Sequence, residues 1–349
     1  MSIIMTGGGT GGHLAIVRAV KEELRDKDIN LIYIGSTKGQ DKQWFENDKD
    51  FEARYFLNSK GVVNQKGLGK LASLWTMAKS VLEARKLLKK HNAKVVLSVG
   101  GFSAAPTAFA ALSMRIPLVI HEQNASMGSL NKLLKPYAKE FISSYDDNST
   151  QTPYPIKDIY FQTARVREDV KTIIFLGGSQ GAKAINELAL ELAPTLKQKG
   201  ISIIHQAGDR NIQDVQNSYK QLGIEAEVFG FSTKLPSYIA QADFAIARAG
   251  ASTLWELSAN GLPALYIPYP YAASDHQYYN AKFLVDQNLA WLMREDKLDS
   301  KKIEDILSND IKEVSQKLIN SINPNGAKEI SKLLIECHQS KKGEEDEVL

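Results

Sequence analysis

The segment MSIIMTGGGTGGHLAIVRAV, residues 1–20, decides how the rest of the chain is read. A short apolar run, Ile3–Thr6, leads into Gly7, Gly9 and Gly12, which satisfy G-x-G-x-x-G, and a helical pattern follows. A glycine-rich turn from strand into helix exposes backbone N–H groups beside the positive end of the helix dipole, with no Cβ to hold a ligand away. Dinucleotide-binding folds use this spacing, but they also place an acid about 20 residues on, at the end of the second strand, for the ribose hydroxyls. Here that strand ends in LIYIGSTKG (31–39), with Gly35 and Ser36 at the acid's place. The glycine spacing is therefore weak support for a nicotinamide enzyme. His13, directly after the third glycine, faces the loop mouth as a candidate general base.

Working outward, short apolar runs alternate with helical patterns. They are Leu31–Ile34, Val95–Val99, Leu118–His121 and Phe141–Ser143, then Thr172–Leu176, Ser202–His205, Phe244–Ala247 and Ala264–Ile267. Such runs between helices predict parallel sheets covered on both faces. Between Ser143 and Val170 the pattern stops in a polar, proline-containing stretch that reads as a linker. Beyond it a second glycine turn, GGSQG (177–181), enters a second helical run. The expectation is an α/β chain of two doubly wound, Rossmann-like domains facing a central cleft. They would span residues 1–160 and 161–338, with 339–349 a disordered acidic tail.

The composition narrows the function. The 349 residues carry a formal charge of +3, which gives no case for nucleic acid. The single cysteine, Cys337, excludes an internal disulfide or a thiolate metal cluster. No secretory signal and no run of about 18 apolar residues is present. Asp26-Lys27-Asp28 and Asp48-Lys49-Asp50 spell D-x-D, a metal-dependent sugar-transfer pattern, but neither follows an apolar strand, so no metal site is expected.

Further polar segments sit at strand ends, where open α/β sheets bind ligands. SVGGFSAAPTA (98–108) adds a third glycine turn with Phe102 at its tip, and IHEQNASMGS (120–129) groups His121, Glu122, Gln123 and Asn124. AIARAGASTLWEL (245–257) opens a helix at Ala251, and YPYAASDHQYYNA (269–281) places His276 and Gln277 at another helix start.

Together GGGTGGH, VGGFSAAP, HEQNASMG, GGSQGA, RAGASTLWE and DHQYYNA, in this order over residues 3 to about 335, closely resemble the MurG family. That resemblance implies a glycosyltransferase B fold with the acceptor in the N-terminal domain and the donor in the C-terminal one. It implies inverting transfer of N-acetylglucosamine from UDP-N-acetylglucosamine to the C4 hydroxyl of the muramyl sugar of undecaprenyl-linked lipid I. The product would be lipid II for peptidoglycan synthesis, with no cofactor and no protein-bound metal. The place of work would be the cytoplasmic face of the inner membrane, at an anionic surface.

Residue by residue, the resemblance makes His13 the catalytic base, and Gly8, Gly9, Gly100, Gly101 and Phe102 acceptor contacts. Donor contacts would be Thr10, Gly11, Gly12, Asn124, Lys157, Ser179, Ser232, Ala251, Ser252, Thr253, Leu254, Trp255, Glu256, His276 and Gln277. The chain departs from the family at three places: Ile16 replaces a common proline, Lys157 an arginine able to bind bidentately, and Ser232 an apolar neighbour of the uracil. A 2-epimerase acting on the same nucleotide sugar, or a non-catalytic binder of it, remains the alternative.

Residues 60–94 carry nine Lys or Arg against Glu83 alone. One reading is a core-packed helix with a solvated basic side. The other is that Leu68, Leu71 or Trp75 dips into a bilayer while Lys66, Lys70 and Lys79 meet anionic lipid.

Overall fold

The computed structural model describes residues 2–59, 68–146, 149–150, 153–178 and 180–346; the side chains of 68–72, 74 and 338–346 are outside the description. Ser179 and Lys66 thus lie outside the described residues, and Leu68, Lys70 and Leu71 are placed by backbone alone.

The chain forms two compact units, Met1–Ile156 with Asn325–Leu349, and Lys157–Pro324. In the first, β1 (Ser2–Thr6), β2 (Asn30–Ser36), β3 (Ala53–Leu57), β4 (Val95–Ser98), β5 (Leu118–Glu122) and β6 (Glu140–Ser143) make one sheet in the order β3-β2-β1-β4-β5-β6. The second holds β7 (Thr172–Leu176), β8 (Ser202–Gln206), β9 (Glu227–Phe229), β10 (Phe244–Ala247), β11 (Ala264–Tyr266) and β12 (Trp291–Leu292), in the order β12-β11-β10-β7-β8-β9. All pairings are parallel. Counted from its own first strand, each unit has the doubly wound order 3-2-1-4-5-6. The central strands are apolar on both faces because helices cover both: Ile3, Ile4, Met5, Ile173, Ile174 and Phe175 are all fully buried.

This order creates a switch point in each sheet, where neighbouring strands send their following loops in opposite directions. In the first unit it lies between β1 and β4, so the loops after Thr6 and Ser98 flank it. In the second it lies between β7 and β10, flanked by the loops after Leu176 and Ala247. Each glycine turn read from the sequence falls beside one of these points.

Three expectations change. First, the last helix, Gly326–Asp346, belongs to the first unit and not to the second. Its Ala327, Ile330 and Leu334 are buried, and Ser331 Oγ donates to Val20 O (3.4 Å) on the helix Gly11–Leu24. Second, its backbone continues through the stretch read as a disordered tail. Gln, Lys and Glu are good helix formers, and the one weak residue there is Gly343. Third, the polar stretch after Ser143 is not a free tether. Tyr154, Ile156, Tyr160 and Arg167 within it are buried, and Asp158–Gln162 is helical.

Candidate functional site

In the first unit the loop after β1 is held from two sides. Gly8 N–H donates to Gly100 O (3.3 Å), and Gly9 N–H donates to Asp41 Oδ2 (2.6 Å). Asp41 is fully buried, and its Oδ1 also accepts from Ser36 N–H (3.0 Å). The Tyr33 hydroxyl lies 3.0 Å from both Gly7 O and Asp41 Oδ1, sharing its proton between two acceptors. Burial and the Asp41 carboxylate hold the Tyr33 pKa well above the usual tyrosine value. The packing admits no Cβ: one on Gly9, at φ +85°, would meet Phe102 Cε1 at 2.5 Å, and one on Gly8 would meet Asp41 Oδ1 at 2.6 Å. Two amides of the expected phosphate cradle, those of Gly8 and Gly9, are therefore already bonded within the protein. The acceptor contacts expected from Gly8 and Gly9 are thus limited to their carbonyls and α-carbons. Gly100 and Gly101, both at positive φ, complete the opposite wall, with Phe102 half-buried over Gly9.

The helix Gly11–Leu24 starts at this loop, with Thr10 as its extended N-cap. Its third residue is His13. Gln123 Nε2 lies 3.0 Å from His13 Nε2, and Thr10 Oγ1 lies 3.0 Å from His13 Nδ1. An amide nitrogen only donates, so His13 Nε2 carries the lone pair and Nδ1–H donates to the threonine hydroxyl. The ring is thus held with its basic nitrogen toward the strand-end residues of β5.

The HEQN segment divides by role. His121 is fully buried with its ring edge-on to Tyr154; burial, and next the proximity of His13, lower its pKa to about 3, so it stays neutral. Glu122 is buried and works as a loop latch. Its Oε1 accepts from Asn124 N–H (3.0 Å), and its Oε2 accepts from Gly128 N–H (2.9 Å) and Asn131 Nδ2 (2.9 Å). That latch presents the half-buried Asn124.

The second D-x-D pair has a structural use. Asp48 (2.7 Å) and Asp50 (2.6 Å) both close on the buried ammonium of Lys21.

In the second unit Gly181 and Ala182 lead into the helix Lys183–Gln198, with Gly181 N–H donating to Gly178 O (2.9 Å). Gly181 is at φ +78°, and a Cβ there would strike Ala207 O. The helix Ala251–Ala259 begins after an extended Gly250. Ser252, Thr253 and Glu256 are half-buried, whereas Ala251, Leu254 and Trp255 are buried, and Trp255 packs on Phe283 with ring centres 6.1 Å apart. The side chains of Leu254 and Trp255, both expected as donor contacts, are thus buried, that of Trp255 against the helix His276–Val285, and Ala251 offers backbone only. Lys157 is the extended N-cap of the helix Asp158–Gln162. Ser232 Oγ accepts from Lys234 N–H (3.1 Å), and Asp209 Oδ1 accepts from Phe231 N–H (2.7 Å), so this loop is shaped locally.

His276 and Gln277 open the helix His276–Val285. His276 Nδ1–H donates to Ala273 O (2.8 Å), and Gln277 Oε1 accepts from Tyr269 N–H (2.9 Å), which leaves the amide NH2 as the group Gln277 offers a ligand.

On the helix Leu68–Lys90, Leu88 and Ala84 are buried, while Trp75 (66%) and Leu82 (61%) are exposed, with Lys79 Nζ 5.4 Å from the Trp75 ring centre. Residues 75, 78, 79 and 82 share one face. The helix therefore has a packed side and an exposed aromatic-basic side. No helix among the described residues is long and apolar enough to cross a membrane.

Asp41, Tyr33 and the latch role of Glu122 were not singled out from the sequence. The only available signal was an acid a few residues past β2, which is weak on its own.

Comparison with known proteins gives the family. Residues 3–143 match the glycosyltransferase family 28 N-terminal domain, and residues 172–334 match its C-terminal domain. A protein of Sulfurovum sp., named UDP-N-acetylglucosamine–N-acetylmuramyl-(pentapeptide) pyrophosphoryl-undecaprenol N-acetylglucosamine transferase, is 64% identical over 96% of this chain and 98% of its own. A protein of the same name from Wolinella succinogenes is 54% identical over 91% of this chain and 95% of its own. The crystal structure of Acinetobacter baumannii MurG superposes with a TM-score of 0.77 at 26% identity, covering 96% of this chain and 99% of that one. A UDP-GlcNAc 2-epimerase from Neisseria meningitidis, at 14% identity over 97% of this chain and all of its own, with a TM-score of 0.62, shares the fold alone. The chain belongs to glycosyltransferase family 28, and within it to the MurG family.

Proposed function

We propose that the chain transfers N-acetylglucosamine from UDP-N-acetylglucosamine to the C4 hydroxyl of the muramyl sugar of undecaprenyl-pyrophosphoryl-N-acetylmuramyl-pentapeptide, lipid I. The observation that carries the chemistry is the placement of His13, with Nδ1 3.0 Å from Thr10 Oγ1 and Nε2 3.0 Å from the Gln123 amide nitrogen, an arrangement that leaves the lone pair on Nε2. The hydroxyl gives its proton to that nitrogen as its oxygen bonds to the anomeric carbon. The bond from that carbon to the UDP oxygen breaks on the opposite face, so the configuration inverts. The pair of electrons leaves with UDP, and the proton passes from His13 to solvent.

The first unit serves the acceptor, with the 99–104 turn beside the acceptor pyrophosphate. The donor is held by the second unit. The N–H groups opening the helix Ala251–Ala259 take the diphosphate, Glu256 the ribose hydroxyls, and the Gln277 amide the sugar. Ser179, Lys157 and Ser232 are further donor contacts, as is Asn124 from the latched strand-end loop of β5. Fixed dipoles of this kind neutralise the leaving group without a cation, so chelation of divalent ions leaves turnover intact. The exposed Trp75, Lys79 and Leu82 face fits a peripheral encounter with an anionic membrane, where a lipid-linked acceptor resides.

The test is UDP release with a lipid I analogue, for the wild type and His13→Ala. The expected loss in kcat is about 10²–10⁴-fold, with UDP affinity unchanged. Near-normal turnover of the variant removes the base assignment, and a wild type that releases no UDP with this acceptor removes the reading.

A further inference from the structure

Two consecutive residues outside every glycine loop tie the donor segments of the second unit together. Arg294 and Glu295 follow the edge strand β12. Glu295 Oε2 pairs with Arg248 Nη2 (2.6 Å), at the head of the RAGAS segment. Arg248 Nη1 donates in turn to Ile267 O and Pro268 O, both at 3.1 Å, just past β11. Arg294 Nη2 pairs with Asp275 Oδ2 (2.8 Å), and its guanidinium lies 4.1 Å from the Tyr278 ring centre.

The turn that Arg294 holds is an unfavourable one. Ser274 (φ 53°, ψ 27°) and Asp275 (φ 50°, ψ 30°) are both left-handed, and neither is glycine. Consecutive non-glycine residues rarely adopt this conformation, and it persists only where the surroundings enforce it. Immediately after these two residues come His276 and Gln277. Gln277 closes the segment from the other end by accepting Tyr269 N–H. Without the Arg294 pair, the turn has reason to relax and carry the start of the helix with it.

We propose that Arg294 and Glu295 form a positioning brace for the donor site, Arg294 enforcing the left-handed Ser274-Asp275 turn that aims Gln277, and Glu295 fixing the Arg248 segment. The proposal rests on the second unit being the donor-binding unit. Neither residue needs to touch the donor; each acts through the segment it holds. The two arms of the brace are separable, because only one of them works against backbone strain.

That asymmetry gives the test. Donor KM and kcat are measured with a lipid I analogue for the wild type, Arg294→Met, Ser274→Gly, Glu295→Gln, and the Arg294→Met/Ser274→Gly and Glu295→Gln/Ser274→Gly double variants. UDP affinity is followed by calorimetry. Arg294→Met raises donor KM about tenfold, one decade per about 1.4 kcal/mol, with kcat changed less than about twofold. Ser274→Gly alone behaves as the wild type. In the Arg294→Met double variant it restores donor KM to within about threefold of the wild type, because glycine adopts the left-handed conformation without enforcement. Glu295→Gln also raises donor KM, and Ser274→Gly does not rescue it. A donor KM unaffected by Arg294→Met, or raised and not rescued by Ser274→Gly, overturns the brace. A wild type that does not bind UDP-N-acetylglucosamine overturns the donor reading instead, and the two failures are thereby distinguished.

Discussion

Acidification from pH 7 to pH 5 should weaken the second unit through one side chain, His205. This residue is fully buried on β8, with Asn186 Oδ1 3.0 Å from Nε2 and the Tyr219 hydroxyl 3.0 Å from Nδ1. An amide oxygen only accepts, so Nε2–H donates to Asn186 and Nδ1 accepts from Tyr219; the ring is neutral and fully bonded. Burial lowers its pKa from 6.5 to about 4. Above pH 6.5 neither state is protonated and the contribution is fully present. As the pH falls from 6.5 toward 4, the unfolded chain takes up a proton that the folded one refuses, and stability is lost. At pH 5 the gap amounts to 6.5 − 5 = 1.5 pH units, or about 2 kcal/mol at 1.36 kcal/mol per unit. Hydrogen exchange of peptides from β7 and β8 reads this in the second unit alone, as a protection factor about 30-fold lower at pH 5. His205→Gln is less stable throughout but lacks the titration, so its protection should change much less between the two pH values. If the variant loses as much protection as the wild type over this interval, the assignment of the acid sensitivity to His205 is wrong.

Other outcomes follow from the same geometry. Lys21→Met leaves Asp48 and Asp50 facing each other without their cation, and should cost about 3 kcal/mol in urea unfolding, the lower end of the range for breaking a buried pair because Asp50 is partly exposed. Asp41→Asn keeps the side-chain shape but turns one acceptor into a donor opposite the Gly9 or Ser36 N–H. It should raise acceptor KM while UDP affinity stays constant; an equal loss in both would show general unfolding. Trp75→Ser with Lys79→Glu should reduce cosedimentation with anionic liposomes by about tenfold, one step of about 1.4 kcal/mol, and unchanged binding would return that face to ordinary solvent exposure.

The strands that the sequence made legible are those whose residues are buried on both faces. β3, β9 and β12 were not anticipated, and each lies at a sheet edge. ARYFL is mostly half-buried, EVF is graded from exposed to buried, and WL is half-buried, so none forms a continuous apolar run. The glycine turns and His13 were legible for a related reason: the geometry of a strand-to-helix turn limits which residues fit. Gln123 as the partner of His13, Asp41 beneath the loop and Arg294 behind the Ser274-Asp275 turn were not. Their partners lie 110, 32 and 19 positions away in the chain, and that pairing is made by the sheet order rather than by local pattern. Leu254 and Trp255, expected along with their neighbours as one run of contacts, have buried side chains. A contiguous motif looks uniform in sequence, but a helix turns every third or fourth residue of it toward the core.

The route of the chain has a bearing on how it is made. Residues 325–337 leave the ribosome only after the whole second unit, yet they pack on the helix Gly11–Leu24, whose first turn carries His13. The helix Gly11–Leu24 therefore waits, with an apolar flank bare, for a segment translated after the second unit. Domains tend to fold as they emerge, so here the second unit can finish before the first. A ribosome stalled in the helix Gly326–Asp346 would leave a chain whose second unit is complete and whose first is unfinished.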